Sequence, residues 1–128
     1  MSPRDVVDYA LQRRARLEDL RWGRMSRLDA CDAHPHLKMA ARHYGERRAG
    51  NCPVCGGPGL RSVHFVYGDN LGHVSGQAKT RAELARMARL REFTVYAVEV
   101  CLDCSWNHLM RSFRLGAEPT SSSAAADG

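Results

Sequence analysis

Cys52-Pro53-Val54-Cys55 and Cys101-Leu102-Asp103-Cys104 are two copies of one chemical device, a C-x2-C turn that aims two sulfurs at a single point. Two such turns can close a tetrahedron around a metal, and Zn²⁺ takes a closed four-thiolate shell where its role is structural. A closed shell leaves no position for water, so the expected metal holds the chain together and catalyses nothing. The expectation is one structural Zn²⁺ on Cys52, Cys55, Cys101 and Cys104. Iron in a rubredoxin-like site and redox-active thiols are the alternatives. A redox role requires C-x2-C at a helix start within a βαβ unit, and neither pair precedes a convincing helix. In the first turn, Pro53 stiffens the chain and Gly56 and Gly57 supply positive φ. The second turn continues into Ser105-Trp106 and lacks that glycine.

The elements that must hold these turns can be read from periodicity. Residues 3–22 are predicted as a helix, with Ser2 as N-cap, Pro3 at the first position and Gly23 as the stop. Val6, Ala10, Leu17 and Leu20 form its apolar stripe, which Arg13 and Arg14 interrupt. A short helix follows Ser26, with Asp29 in capping position, and another spans 35–44 with Gly45 as its stop. From Asn51 the period changes to two. Leu60–Tyr67, Phe93–Val100 and Trp106–Leu115 read as strands. A loop at 68–76 and a helix at about 81–91, opened by Thr80 and Glu83, lie between the first two strands. The predicted class is α+β. A helical arm occupies residues 1–50, and a three-stranded antiparallel zinc-ribbon sheet occupies 51–115 with an inserted loop and helix (68–92). Residues 116–128, rich in Ser and Ala, are predicted as a disordered tail.

The 128 residues carry 19 Lys and Arg against 14 Asp and Glu, for a formal charge of +5, and aromatics make up only 7%. A small core of this kind often depends on a staple, and a metal can supply one. The start of the chain is charged where a signal peptide would be apolar, and no run of 18 apolar residues occurs, so a cytoplasmic protein without a membrane role is expected. Thiols stay reduced there, which favours metal over disulfides, and the odd fifth residue, Cys31, agrees. Eleven of the basic residues and seven of the acidic ones fall within residues 1–50, so the positive excess lies in the first half.

Several strings extend the reading: Val6-Val-Asp-Tyr-Ala-Leu11, Cys31-Asp-Ala-His-Pro35, Cys52-Pro-Val-Cys55, Val66-Tyr-Gly-Asp69, Glu92-Phe-Thr-Val-Tyr96, Val98-Glu-Val-Cys101 and Cys104-Ser-Trp-Asn-His-Leu109. Together they resemble an uncharacterised family of short actinobacterial zinc-ribbon proteins, known as a domain of unknown function. The resemblance covers most of residues 4–115. The cysteine turns are common to many zinc ribbons, whereas Cys-Asp-Ala-His-Pro and Trp-Asn-His-Leu are more specific. It implies the fold and the metal but no activity.

No paired carboxylates, nucleophile triad or open metal site is visible, so the expected function is non-enzymatic binding. Arg13, Arg14 and Arg16, within an arginine-rich segment running to Arg27, are the candidate partner-binding residues. By analogy with zinc ribbons, the expected partner is a nucleic acid or a nucleoprotein complex such as the transcription or translation machinery. The alternative is a protein–protein adaptor, or a self-associating regulatory protein, that docks through the first helix. His34 and His36 read as capping and surface residues in preference to a second metal site with Cys31, and Cys31 reads as a small buried hydrophobe. Gly72–Thr80 departs from a phosphate loop, because two residues separate Gly76 from Lys79, so it reads as a plain insert.

Overall fold

The computed structural model describes residues 2–116. The chain runs through β1 (Arg4–Asp8), α1 (Ala10–Arg21), α2 (Arg27–Ala30), α3 (Pro35–Tyr44) and β2 (Glu46–Arg47). It continues through β3 (Leu60–Tyr67), a 3₁₀ segment (Asp69–Val74), β4 (Ala78–Lys79), α4 (Arg81–Ala88), β5 (Phe93–Cys101) and β6 (Asn107–Leu115). β-branched and aromatic residues alternate in β3 and β5, and with β6 these strands form the long antiparallel centre of the sheet. The class is α+β as expected, but the sheet has six strands and not three, in the order β1-β6-β5-β3-β2 with β4 also paired to β3.

The additional strands come from short segments that close the sheet's open edges. Residues 4–8, expected as the first turns of a helix, are extended and pair with β6, Val7 opposite Ser112 and Asp8 opposite Arg111. The adjacent valines suit a strand, and the exposed edge of β6 offers their backbone N–H and C=O groups partners that outweigh the Ser-Pro helix-start signal. The helix therefore begins at Ala10, whose N–H is accepted by the Asp8 carboxylate at 2.8 Å. The helix starts at 27 and 35 stand where expected. The Ser26 hydroxyl accepts from Asp29 N and Pro35 sits at the first position of α3. Thr80 and Glu83 form a complete capping box on α4. The expected tail of 116–128 lies outside the described residues apart from Gly116.

Strand parity divides the core. Val63, Val98 and Val100 face α3, packing with Ala41 and Leu37. The opposite face carries Val66, Phe93, Val95, Phe113 and Leu115 beneath Leu84 of α4 and Leu71. Farther along that second face, Leu60 and Cys101 meet Trp106 and the Leu17–Leu20 side of α1. An irregularity in β6 leaves Met110 unmatched, because Ala97 pairs with Arg111 while Val98 pairs with Leu109. The extra residue returns His108 and Arg111 to the same face of the sheet.

A charge sits in the middle of that apolar face. Glu99 is fully buried. Its Oε1 accepts from Arg13 Nε at 2.8 Å and from Trp106 Nε1 at 2.9 Å, and Arg13 Nη2 reaches Oε2 at 3.3 Å. Arg48 Nε lies 3.3 Å from Oε2, close enough for ionic attraction but off the line of a hydrogen bond, so that N–H stays unsatisfied. One turn along α1, the Arg16 guanidinium lies over the Trp106 ring at 4.9 Å and donates to the Asn107 carbonyl at 2.9 Å. Helix α1 has no fully buried residue of its own. The Arg13 and Arg16 contacts therefore join Leu17 and Leu20 in anchoring it to the sheet.

Removing one charge of a buried pair leaves the other uncompensated. Glu99→Gln is expected to cost about 3 kcal/mol, the lower end for buried pairs because Arg13 is partly exposed. Thermal unfolding should show a fall in Tm of roughly 10 °C. An unchanged Tm would mean that Glu99 and its arginines are independent of the fold.

Candidate metal centre

The first turn sits in the loop before β3 and the second joins β5 to β6, so pairing between β3 and β5 brings them together. Leu60 stands opposite Cys101. The two turns have the same backbone. Gly56 N donates to Cys52 O at 3.0 Å and Ser105 N donates to Cys101 O at 3.0 Å, while Cys52 N and Cys101 N are accepted by Gly57 O (2.9 Å) and Trp106 O (2.8 Å). Gly56 takes φ +75°, and Ser105, at the matching position, takes φ +73°. The missing glycine thus leaves the geometry intact, and a serine carries the left-handed conformation instead.

The four Sγ atoms of Cys52, Cys55, Cys101 and Cys104 all lie within 4.8 Å of one another. Cys52 to Cys104 and Cys55 to Cys101 are each 3.7 Å. A regular tetrahedron with metal–sulfur bonds of ~2.3 Å has sulfur–sulfur edges of ~3.8 Å, so the spacing fits a single ion without rearrangement. Backbone N–H groups point at the sulfurs, Val54 N to Cys52 and Gly57 N to Cys55, both at 3.4 Å. Burial pushes the Cys104 thiol up to about 12 and raises Cys52 and Cys101, while the Gly57 N–H lowers Cys55. Burial thus opposes ionisation of Cys52, Cys101 and Cys104, and a bound cation would favour their thiolate forms.

The surroundings tie the turns to each other and to the N-terminal half. Gly59 N donates to the Asp103 carboxylate at 3.1 Å, and Leu102 N donates to Gly59 O at 2.8 Å. A Cβ at Gly59 would come within 2.7 Å of Asp103 Oδ2, so glycine is required there for the contact. The Cys31–Pro35 string wraps the second turn. Ala33 N donates to Ser105 O at 3.0 Å, Asn107 Nδ2 donates to Asp32 at 2.9 Å, and His34 Nδ1 caps α3 by accepting from His36 N at 3.1 Å. Cys31 is half-buried, with its thiol 3.7 Å from Cys104 Sγ, but it stands outside the group of four. Cys31 is thus a neighbour of the centre, a role that sequence spacing alone did not reveal.

With this geometry in view, comparison with known proteins becomes specific. A model of a family of unknown function, DUF5318, matches residues 1–127. The chain belongs to the DUF5318 family. Uncharacterised proteins of Mycobacterium bovis and Mycobacterium tuberculosis are 46% identical over 112 residues, covering 87% of this chain and 82% of each relative. No solved structure matches. The two strings most specific to the resemblance, Cys-Asp-Ala-His-Pro and Trp-Asn-His-Leu, touch in this DUF5318 chain through Asp32 and Asn107.

The arginines expected to meet a partner divide into two kinds. Arg13 and Arg16 turn inward onto Glu99 and Trp106, whereas Arg14 is exposed beside Glu18 and Arg21. Glu99 and Trp106 were not among the expected site residues. Their signal was a charge at an inward position of an otherwise apolar strand.

The assignment of four ligands predicts a sharp difference between neighbouring cysteines. Protein purified without chelator should carry one metal equivalent by elemental analysis. Cys104→Ser should lose it, while Cys31→Ser should retain it. Equal metal loss in both variants would bring Cys31 into the coordination shell.

Proposed function

We propose that this chain is a cytoplasmic, non-enzymatic binding module held in shape by one structural Zn²⁺ and docking a protein partner. Support for zinc comes from the donor set, four thiols at tetrahedral spacing, which zinc favours in closed structural sites. Four sulfurs complete that shell, leaving no coordination position for a substrate or an activated water.

The observation that carries the protein-partner reading is the surface beside the first cysteine turn. A cavity of about 600 Å³ there is lined by Leu17, Leu20, Met25 and Val54 and rimmed by Arg14, Arg21, Arg27 and Glu18. Beyond it, Leu28 is 87% and Trp22 64% exposed. An apolar floor inside a mainly basic rim suits an amphipathic segment with acidic flanks. A second reading rests on Trp22, whose exposed ring lies 5.7 Å from the Arg21 guanidinium. An aromatic beside a cation is also a stacking platform for an unpaired base, which keeps a nucleic-acid partner as the alternative.

A photocrosslinking amino acid at position 28, in cells of the native host, distinguishes the two. The protein reading expects a nuclease-resistant protein adduct that falls roughly tenfold in yield with Arg14→Glu and Arg21→Glu together. The same probe at exposed position 90 should not give that adduct. A nuclease-sensitive adduct would favour the nucleic-acid reading. An adduct indifferent to the arginines would place the partner elsewhere.

A further inference from the structure

Helix α3 packs on the end of its sheet face nearest the cysteine turns, over Val63, Val98 and Val100. Toward the other end of that face lies a cavity of about 750 Å³, and the pairing register explains what lines it. Tyr67, Thr94 and Arg114 stand opposite one another in a row across β3, β5 and β6, with Arg4 of β1 beyond Arg114. Tyr96 belongs to the next row and shares their face, as does Glu92, two residues before Thr94. Past the end of β3 the chain turns at Gly68, and Asp69 and Asn70 close the cavity.

Three features of this lining are left unmatched by the protein itself. The first is aromatic. Tyr67 is 42% exposed, its ring meets that of Tyr96 edge to face at 5.2 Å, and neither phenolic hydroxyl makes a hydrogen bond among the described residues. The second is a set of acceptors. The Asp69 carboxylate has no ion pair or hydrogen bond among the described residues. Asn70 donates Nδ2 to the Glu92 carbonyl at 3.3 Å, which leaves its own side-chain oxygen open. The third is positive charge. Glu92 is shared by Arg4 and Arg114, so two guanidinium groups meet one carboxylate. Arg114 also donates to Thr94 Oγ1 at 3.3 Å, which fixes its fork at the cavity wall. Arg91, exposed and donating to the Asn70 carbonyl at 3.5 Å, adds a guanidinium with no acidic partner among the described residues.

We propose that this cavity binds a nucleotide, either free or as part of a single strand. A nucleobase is flat enough to stack on a tyrosine ring, and its edge carries N–H donors that a carboxylate and an amide oxygen accept. The phosphate is the anion that the surplus guanidinium charge meets. A simple phosphate would leave the aromatic corner and Asp69 unused, and a cationic ligand would face the arginines. The cavity volume lies within the range of small-molecule sites. The site is at the opposite end of the sheet from the cysteine turns, so it does not rest on the protein-partner reading of the groove beside them.

Amide NMR on the full-length, metal-containing chain at physiological salt tests it. The probes are guanosine 5′-monophosphate, whose base edge is rich in donors, ribose 5-phosphate, and a single-stranded RNA of about eight nucleotides. At least one of the two nucleotide probes should shift the amides of residues 67–70 and 92–96 saturably, and ribose 5-phosphate should bind about tenfold more weakly or not at all. Tyr67→Ala should weaken nucleotide binding about tenfold through lost stacking. Asp69→Ala should weaken it as well, whereas Arg14→Gln, in the groove beside the first cysteine turn, should leave it unchanged. RNA that binds at these amides more tightly than the mononucleotide would assign a strand, and RNA that binds no more tightly would assign the free nucleotide. Absence of saturable shifts, an equal response to ribose 5-phosphate, or binding unmoved by Tyr67→Ala or by Asp69→Ala would overturn the proposal. Asp69 is exposed and lies outside the strands, so its variant remains informative if Tyr67→Ala fails to fold.

Discussion

Four thiols gathered within 4.8 Å at the meeting point of two loops impose the central constraint on this protein. Left neutral, they offer only weak S–H contacts, and burial resists their ionisation. A single metal ion held by all four would convert the cluster into a strong link between residues 52–55 and 101–104, which lie far apart in the chain. The cost of closing so long a loop rises only slowly with its length, so the insertion between the two turns is tolerated. The strands on either side of it are then fixed in register from the cysteine end, where Leu60 faces Cys101.

The second constraint is attached to the first. Trp106 follows the last cysteine by two residues, packs in the same buried cluster as Cys52 and Cys101, and donates its indole N–H to Glu99. Glu99 in turn receives Arg13, and Trp106 receives Arg16. The metal centre, the inward glutamate and α1 are thus consecutive links of one chain of contacts. Such a polar network strengthens specificity when every member is satisfied. The Arg48 N–H is the weak point, buried and without a hydrogen bond.

The sequence disclosed the parts whose signals are local. The C-x2-C turns, the capping residues Ser26 and Thr80, the Pro35 helix start and the three long strands all appear where short-range patterns placed them. What it concealed is tertiary. Val6 and Val7 fit either a helix face or a strand, and only the open edge of β6 decides between them. Two anomalies, Arg13 inside an apolar helical stripe and Glu99 inside an apolar strand, explain each other once α1 lies on the sheet. Neither could be interpreted alone, and Arg13 and Arg16 were for that reason read as facing a partner. Ser105 shows the same limit at smaller scale, because its left-handed backbone is imposed by the turn and is not signalled by the residue type.

In the proposed centre, four sulfurs and nothing else enclose one zinc ion. X-ray absorption at the zinc edge, on protein purified without chelator, measures this directly. The expected spectrum shows a first shell of four sulfurs at ~2.3 Å with no nitrogen or oxygen contribution. A shell containing nitrogen or oxygen, or protein with no zinc and a disulfide among these cysteines, would contradict it.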